Sequence, residues 1–92
     1  MNNILHVYSQ DAHHDAAHLV MTRDAAVKLR SMLCAMLDQG YEKDFDCFYV
    51  NDGEGYNLRL IIVDDGTADR LSTPYTSENH AAEPGSLEPW KL

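Results

Sequence analysis

The sequence predicts an α+β domain in two layers, an antiparallel sheet of about four strands with one amphipathic helix across one face, in the order β-β-α-β-β. Three observations carry that expectation. Apolar residues recur at three-four spacing between Arg23 and Gln39, they alternate with period two from Phe45 to Ile62, and Pro74, Pro84 and Pro89 gather near the end of the chain. Residues 1–70 are expected to form a single domain, and 71–92 an extended proline-containing tail partly ordered on the domain or on a partner.

Ile4 to Tyr8 is rich in β-branched and aromatic side chains and reads as a strand. Ser9 to Ala17 is polar and histidine-rich, which suits a loop, and His18 to Met21 reads as a second strand pairing antiparallel with the first. In the helix, Ala26, Leu29, Leu33, Met36 and Leu37, with Ala25 and Met32 beside them, form the expected core face. Its ends are marked by local chemistry: Thr22 as N-cap, Asp24 in the first turn and Gly40 as the left-handed terminator.

The final two strands form a hairpin. A two-residue turn at Gly53-Glu54 and a four-residue loop from Asp52 to Gly55 give the same register, setting Tyr49 against Leu58, Cys47 against Leu60 and Phe45 against Ile62. That register makes one wholly apolar face to receive the helix. The other face then carries Asp46, Phe48, Val50, Asn57, Arg59, Ile61 and Val63, a mixture too apolar to be left to solvent, so the tail, a second copy or another protein is expected to cover it. In the tail, Leu71, Tyr75, Leu87 and Trp90 are spaced like anchors.

Charge and composition narrow the function. The chain has 92 residues and a net charge of −8, from 7 Lys+Arg against 15 Asp+Glu. Direct nucleic-acid binding is not expected of so acidic a chain, because phosphate affinity comes from clustered Lys and Arg. No apolar run approaches the ~20 residues that span a bilayer, and no secretory signal is visible, so no membrane role and a cytoplasmic location are expected. Cys34 and Cys47 form no Cys-x-x-Cys pair and read as small buried hydrophobes.

Two clusters invite chemistry. His13, His14 and His18 with Asp15 and Asp11 have i, i+4 spacings that converge on a transition metal if the segment is helical, although the glutamate of a zinc-protease motif and a distant further ligand are missing. Between Glu42 and Asp69, eight carboxylates (Glu42, Asp44, Asp46, Asp52, Glu54, Asp64, Asp65 and Asp69) face only Lys43 and Arg59. Their spacing does not supply the oxygen ligands of a calcium loop, and Gly53 and Gly55 read as turn residues and not as a phosphate cradle. The serines Ser9, Ser31, Ser72, Ser77 and Ser86 lack a nucleophile-elbow context, so no enzyme and no cofactor is expected.

The expected function is a small, acidic, non-catalytic protein-binding module of inhibitor, immunity or adaptor type. Its expected contact residues are Phe48, Val50, Arg59, Ile61 and Val63, with Asp52 and Glu54 at the rim, and its partner is another protein or a second copy in a homodimer. The alternatives are a metal-binding or pH-responsive protein built on His13, His14, His18 and Asp15, and an acidic mimic of nucleic acid that blocks a basic protein.

Overall fold

The computed structural model describes residues 2–76 and 85–92, so Ser77 and Pro84 lie outside the described residues. Its elements run β1 (Leu5–Tyr8), β2 (His18–Met21), α1 (Arg23–Gln39), β3 (Lys43–Tyr49), β4 (Gly55–Ile61) and the one-turn helix α2 (Asp65–Ala68), followed by a 3-10 turn at Pro89–Lys91. The fold is α+β. Its strands form two antiparallel two-stranded sheets, β1-β2 and β3-β4, where one four-stranded sheet was expected. An isolated parallel bridge, Ile4 to Tyr49, joins the first segment to β3. The chain divides into two compact units, Met1–Val7 with Leu19–Ile62, and Tyr8–His18 with Val63–Leu92.

In the first unit, α1 begins and ends where its caps require. Thr22 is extended (φ −74°, ψ 163°) and its hydroxyl oxygen accepts from the Ala25 N–H, while Gly40 at φ 77° donates its N–H to the Met36 carbonyl. Thr22 also ties the helix to the N-terminal strand. Its Oγ1 accepts from Ile4 N, its hydroxyl donates to the Asn2 carbonyl, and its N–H donates to the Ile4 carbonyl.

The buried stripe of α1 is Ala25, Met32 and Met36, with Leu29 half-buried against it. Leu33 and Leu37, expected in the core, are instead 41% and 71% exposed. A ribbon two strands wide covers only a narrow arc of the helix, so residues one step round the cylinder are left outside. The core itself is Leu5, Ala25, Met32 and Phe48, flanked by Met21, Leu29, Tyr56, Leu58 and Leu60.

Phe48 belongs to that core because the hairpin register differs from the expected one. Tyr49 pairs with Gly55, Cys47 with Asn57, and Phe45 with Arg59. The cause is a three-residue loop, Asn51-Asp52-Gly53. Val50 N donates to the Glu54 carbonyl, Gly53 N donates to the Val50 carbonyl, and Gly53 takes φ 94°. This is a type I turn followed by a left-handed residue, for which glycine is suited. Relative to the expected register β4 slides by three residues, an odd number, so β3 presents its other side to the helix.

In the second unit, Asp64 caps α2 by accepting from Thr67 N at 2.7 Å. Beyond it, Leu71 and Leu87 form a parallel bridge, with Leu87 N donating to the Arg70 carbonyl and Ser72 N to the Leu87 carbonyl. The loop before β2 joins this unit through Thr76, which donates its N–H to the Gln10 carbonyl and its hydroxyl to Asp11 Oδ1.

Candidate functional site

The register sorts every side chain of the β3-β4 ribbon. Even-numbered residues turn inward: Phe48 opposite Tyr56, with Leu58 and Leu60 packed on the same core. Lys28 of α1 closes this side. Its Nζ donates to the Cys47 carbonyl at 2.6 Å, stands 3.2 Å from Asp46 Oδ1 and lies 4.9 Å from the centre of the Phe48 ring. One ammonium thus bonds the ribbon backbone, an anion and an aromatic face together.

Odd-numbered residues turn outward. Lys43, Phe45, Cys47 and Tyr49 on β3 stand opposite Ile61, Arg59, Asn57 and Gly55 on β4. Phe45 is 64% exposed and Tyr49 is 43% exposed. The Tyr49 ring lies across Gly55, where an added Cβ would come within 3.1 Å of it. These outward pairs alternate with the hydrogen-bonded ones, since Val50-Glu54 and Glu42-Ile62 carry the backbone bonds. They are therefore the closer-spaced, non-hydrogen-bonded pairs, about 4.5 Å between Cα atoms, whose side chains meet most readily.

The ribbon's charges are equally sorted. Lys43 and Arg59 face outward and no carboxylate does, whereas Asp44 and Asp46 lie on the inner parity. Asp44 accepts from Phe45 N and Asp46 from Cys47 N, each at its own neighbour. That backbone N–H, and then the ammonium of Lys28, hold the Asp46 carboxyl below its ordinary 3.8. In the same way the Thr67 N–H lowers Asp64, and burial raises the Tyr56 phenol, whose hydroxyl donates to the Leu5 carbonyl. Four of the eight carboxylates between Glu42 and Asp69, namely Asp44, Asp46, Asp52 and Asp64, thus accept from nearby backbone N–H groups.

The expected contact residues are redistributed. Phe48 is fully buried and is corrected from contact residue to core, because the three-residue loop reverses the side that β3 turns to the helix. Arg59 and Ile61 do share an outward face, but with Phe45 and Tyr49, which the period-two alternation alone places toward the helix. Val50 is half-buried at the hairpin end, and Val63 is half-buried in the second unit. Asp52 and Glu54 are exposed in the loop, where Asp52 Oδ1 accepts from Glu54 N.

The N-terminal segment meets this hairpin end by an unusual contact. Tyr49 N donates to the Asn3 carbonyl as a parallel ladder requires, but Asn51 N donates to Nε2 of His6 at 3.1 Å. The backbone acceptor next in line, the Leu5 carbonyl, receives the Tyr56 hydroxyl instead. A side-chain nitrogen thus replaces a carbonyl at the end of the ladder.

In the second unit, residues 11–14 form bends and turns and 15–17 are irregular, with no helix, so i, i+4 spacing does not align their side chains. His13 and His14 meet edge to face at 5.1 Å, and Tyr75 lies 6.4 Å from His13. Asp15 accepts from Ala12 N, and His18 opens β2. Among the described residues no group of three or more His, Cys, Asp or Glu side chains gathers as metal ligands. The same unit has a groove of about 730 Å³ lined by Ala68, Leu71, Pro74, Tyr75, Pro89 and Trp90, among others.

No family model matches the chain, and no curated protein or solved structure matches it. No helix among the described residues is long and apolar enough to cross a membrane.

Proposed function

We propose that this chain is a small non-catalytic protein-binding module that presents the outer face of its β3-β4 ribbon to a partner. One observation carries the reading: Phe45, opposite Arg59, and Tyr49, four residues further along the strand and opposite Gly55, stand well exposed on the face that also carries Ile61, while the opposite face forms the core. Aromatic and arginine side chains are the residue types that dominate binding energy at protein interfaces. Asp52 and Glu54 supply an acidic rim at the hairpin end. Cys34 and Cys47 are unpaired thiols, in keeping with a cytoplasmic setting for this role.

The test is affinity capture from the native host with wild type, Phe45→Ser and Tyr49→Ser side by side, each variant checked by circular dichroism. Loss of the same captured protein from both variants supports the reading. Identical captured sets from all three forms contradict it.

A pH-responsive role has one observation of its own. The Asn51 N–H bonds a lone pair of His6 Nε2, and a doubly protonated ring has no such lone pair to offer. Following the Asn51 amide proton by NMR between mildly alkaline and mildly acidic solution tests it. A resonance and exchange rate that do not change would remove this reading.

A further inference from the structure

We infer that the groove of the second unit binds a small organic cation, a quaternary ammonium with an apolar body. The site belongs to the second unit alone and does not rest on the binding reading above.

The groove is built from the two segments that the Leu71 to Leu87 bridge holds side by side. Ser72 N donates to the Leu87 carbonyl at 2.9 Å, and the Ser72 hydroxyl donates to Glu88 Oε2 at 3.1 Å, which fixes the carboxylate. The chain then enters the 3-10 turn Pro89–Lys91, closed by Lys91 N on the Glu88 carbonyl at 3.0 Å, with Trp90 at its middle position. On the other segment Pro74 and Tyr75 follow Ser72 in the lining. Together these residues wall a space of about 730 Å³. Small-molecule sites span roughly 300–1,000 Å³, with walls that are mostly apolar and aromatic and a few fixed polar groups.

The chemistry of the walls selects a cation. Glu88 is the one charged side chain among the described lining residues, and no cation pairs with it among the described residues. Trp90 is 69% exposed and makes no ring contact among the described residues, so its face is open to an occupant. Tryptophan is the best aromatic partner for a cation, and the attraction grows as water is excluded. Anions are opposed by Glu88 and by the net charge of −8.

A primary ammonium asks for several hydrogen-bond acceptors on leaving water, whereas one oxygen of the single carboxylate here already accepts from Ser72. A quaternary ammonium has no N–H to satisfy and needs only an aromatic face and a negative charge. Proline-rich peptides also dock in aromatic-lined grooves, but their carbonyls call for donors. Pro74 and Pro89 have no N–H, and the Ser72 hydroxyl is engaged by Glu88.

Trp90 is the single tryptophan of the chain, so its fluorescence reports occupancy of the groove. The full chain is titrated with benzyltrimethylammonium, with choline, with the neutral choline isostere 3,3-dimethylbutan-1-ol and with the anion benzenesulfonate. Amide shifts in nitrogen–proton NMR spectra locate the site. Both ammonium probes are expected to change the indole emission and to move the Leu71, Ser72 and Glu88 amides saturably. Choline is expected to bind about tenfold or more tightly than its isostere. Glu88→Gln, which keeps an acceptor for Ser72, is expected to weaken both ammonium probes about tenfold, and Trp90→Phe, read by amide shifts, to weaken them as well. The comparison of choline with its isostere uses wild type, so it decides the matter even where a variant fails to fold.

Equal binding of choline and its isostere, or benzenesulfonate binding as tightly as benzyltrimethylammonium, would overturn the cationic ligand. Unchanged affinity in a folded Glu88→Gln would do the same. A peptide carrying trimethyllysine, or a proline-rich peptide, that binds more tightly than either free ammonium would overturn the small molecule in favour of a peptide. No saturable change in emission or amide shifts at millimolar probe would remove the site.

Discussion

Replacing Phe48 and Phe45 separately by alanine distinguishes the two faces of the ribbon by stability alone. Phe48 has no exposed surface, packs with Leu5, Ala25 and Met32, and supports the Lys28 ammonium at 4.9 Å. Truncating a buried phenylalanine costs about 3–5 kcal/mol, and the lost cation–ring contact adds about 0.5–1 kcal/mol. For a chain of this size, total stability is roughly 5–14 kcal/mol, so Phe48→Ala removes about a quarter or more of it. Phe45 is 64% exposed, and what it still buries is worth less than about 1 kcal/mol. Urea unfolding followed by far-ultraviolet circular dichroism reads both values. Equal losses, or a greater loss for Phe45→Ala, would refute the reasoning.

Three further perturbations test particular contacts. Gly53→Ala forces a side chain into φ 94° although no atom lies within 4 Å of the new Cβ, so a cost of about 1 kcal/mol that Gly53→Asn partly avoids is expected in the same unfolding assay. His6→Ala removes the acceptor for Asn51 N–H, costs about 0.5–1.5 kcal/mol and speeds hydrogen exchange at the Asn51 amide; unchanged exchange would count against the contact. Asp46 is held below its ordinary 3.8 in the folded state, so its stabilising contribution is complete above that value and is lost as pH falls through the lower, folded one. Asp46→Asn should flatten the acid limb of stability against pH below 3.8, and a limb identical to wild type would contradict the assignment.

The helix was legible in the sequence because its signals are local. Thr22 and Gly40 act within a few residues of themselves, and the structure starts and stops α1 between them. The core face of α1 was only partly legible: three-four spacing cannot say how wide the opposing layer is, and Leu33 and Leu37 fall outside a two-stranded ribbon. Lys28 could not be found at all, since a lysine on an amphipathic helix reads as solvent-facing until Cys47 and Asp46 are known to lie beside it.

In the hairpin, counting apolar residues misled. Phe45, Cys47 and Tyr49 make a longer apolar row than Phe48 does among Asp44 and Asp46, yet the row faces outward. The deciding signal was present in Asn51-Asp52-Gly53, which suits a three-residue loop with glycine at its left-handed position. Read that way, the sequence places Phe45 and Tyr49 on the face that already held Arg59 and Ile61. The single outward sign of the charges on that ribbon follows from the same step.

The most direct measurement is the cross-strand pattern of Hα–Hα nuclear Overhauser effects in the hairpin. The account predicts close pairs between Phe45 and Arg59 and between Cys47 and Asn57, the non-hydrogen-bonded positions of the outward face. Close pairs between Cys47 and Leu60 or between Phe45 and Ile62 would contradict it, because that alignment turns Phe48 to solvent and dissolves the aromatic, cationic face on which the proposed function stands.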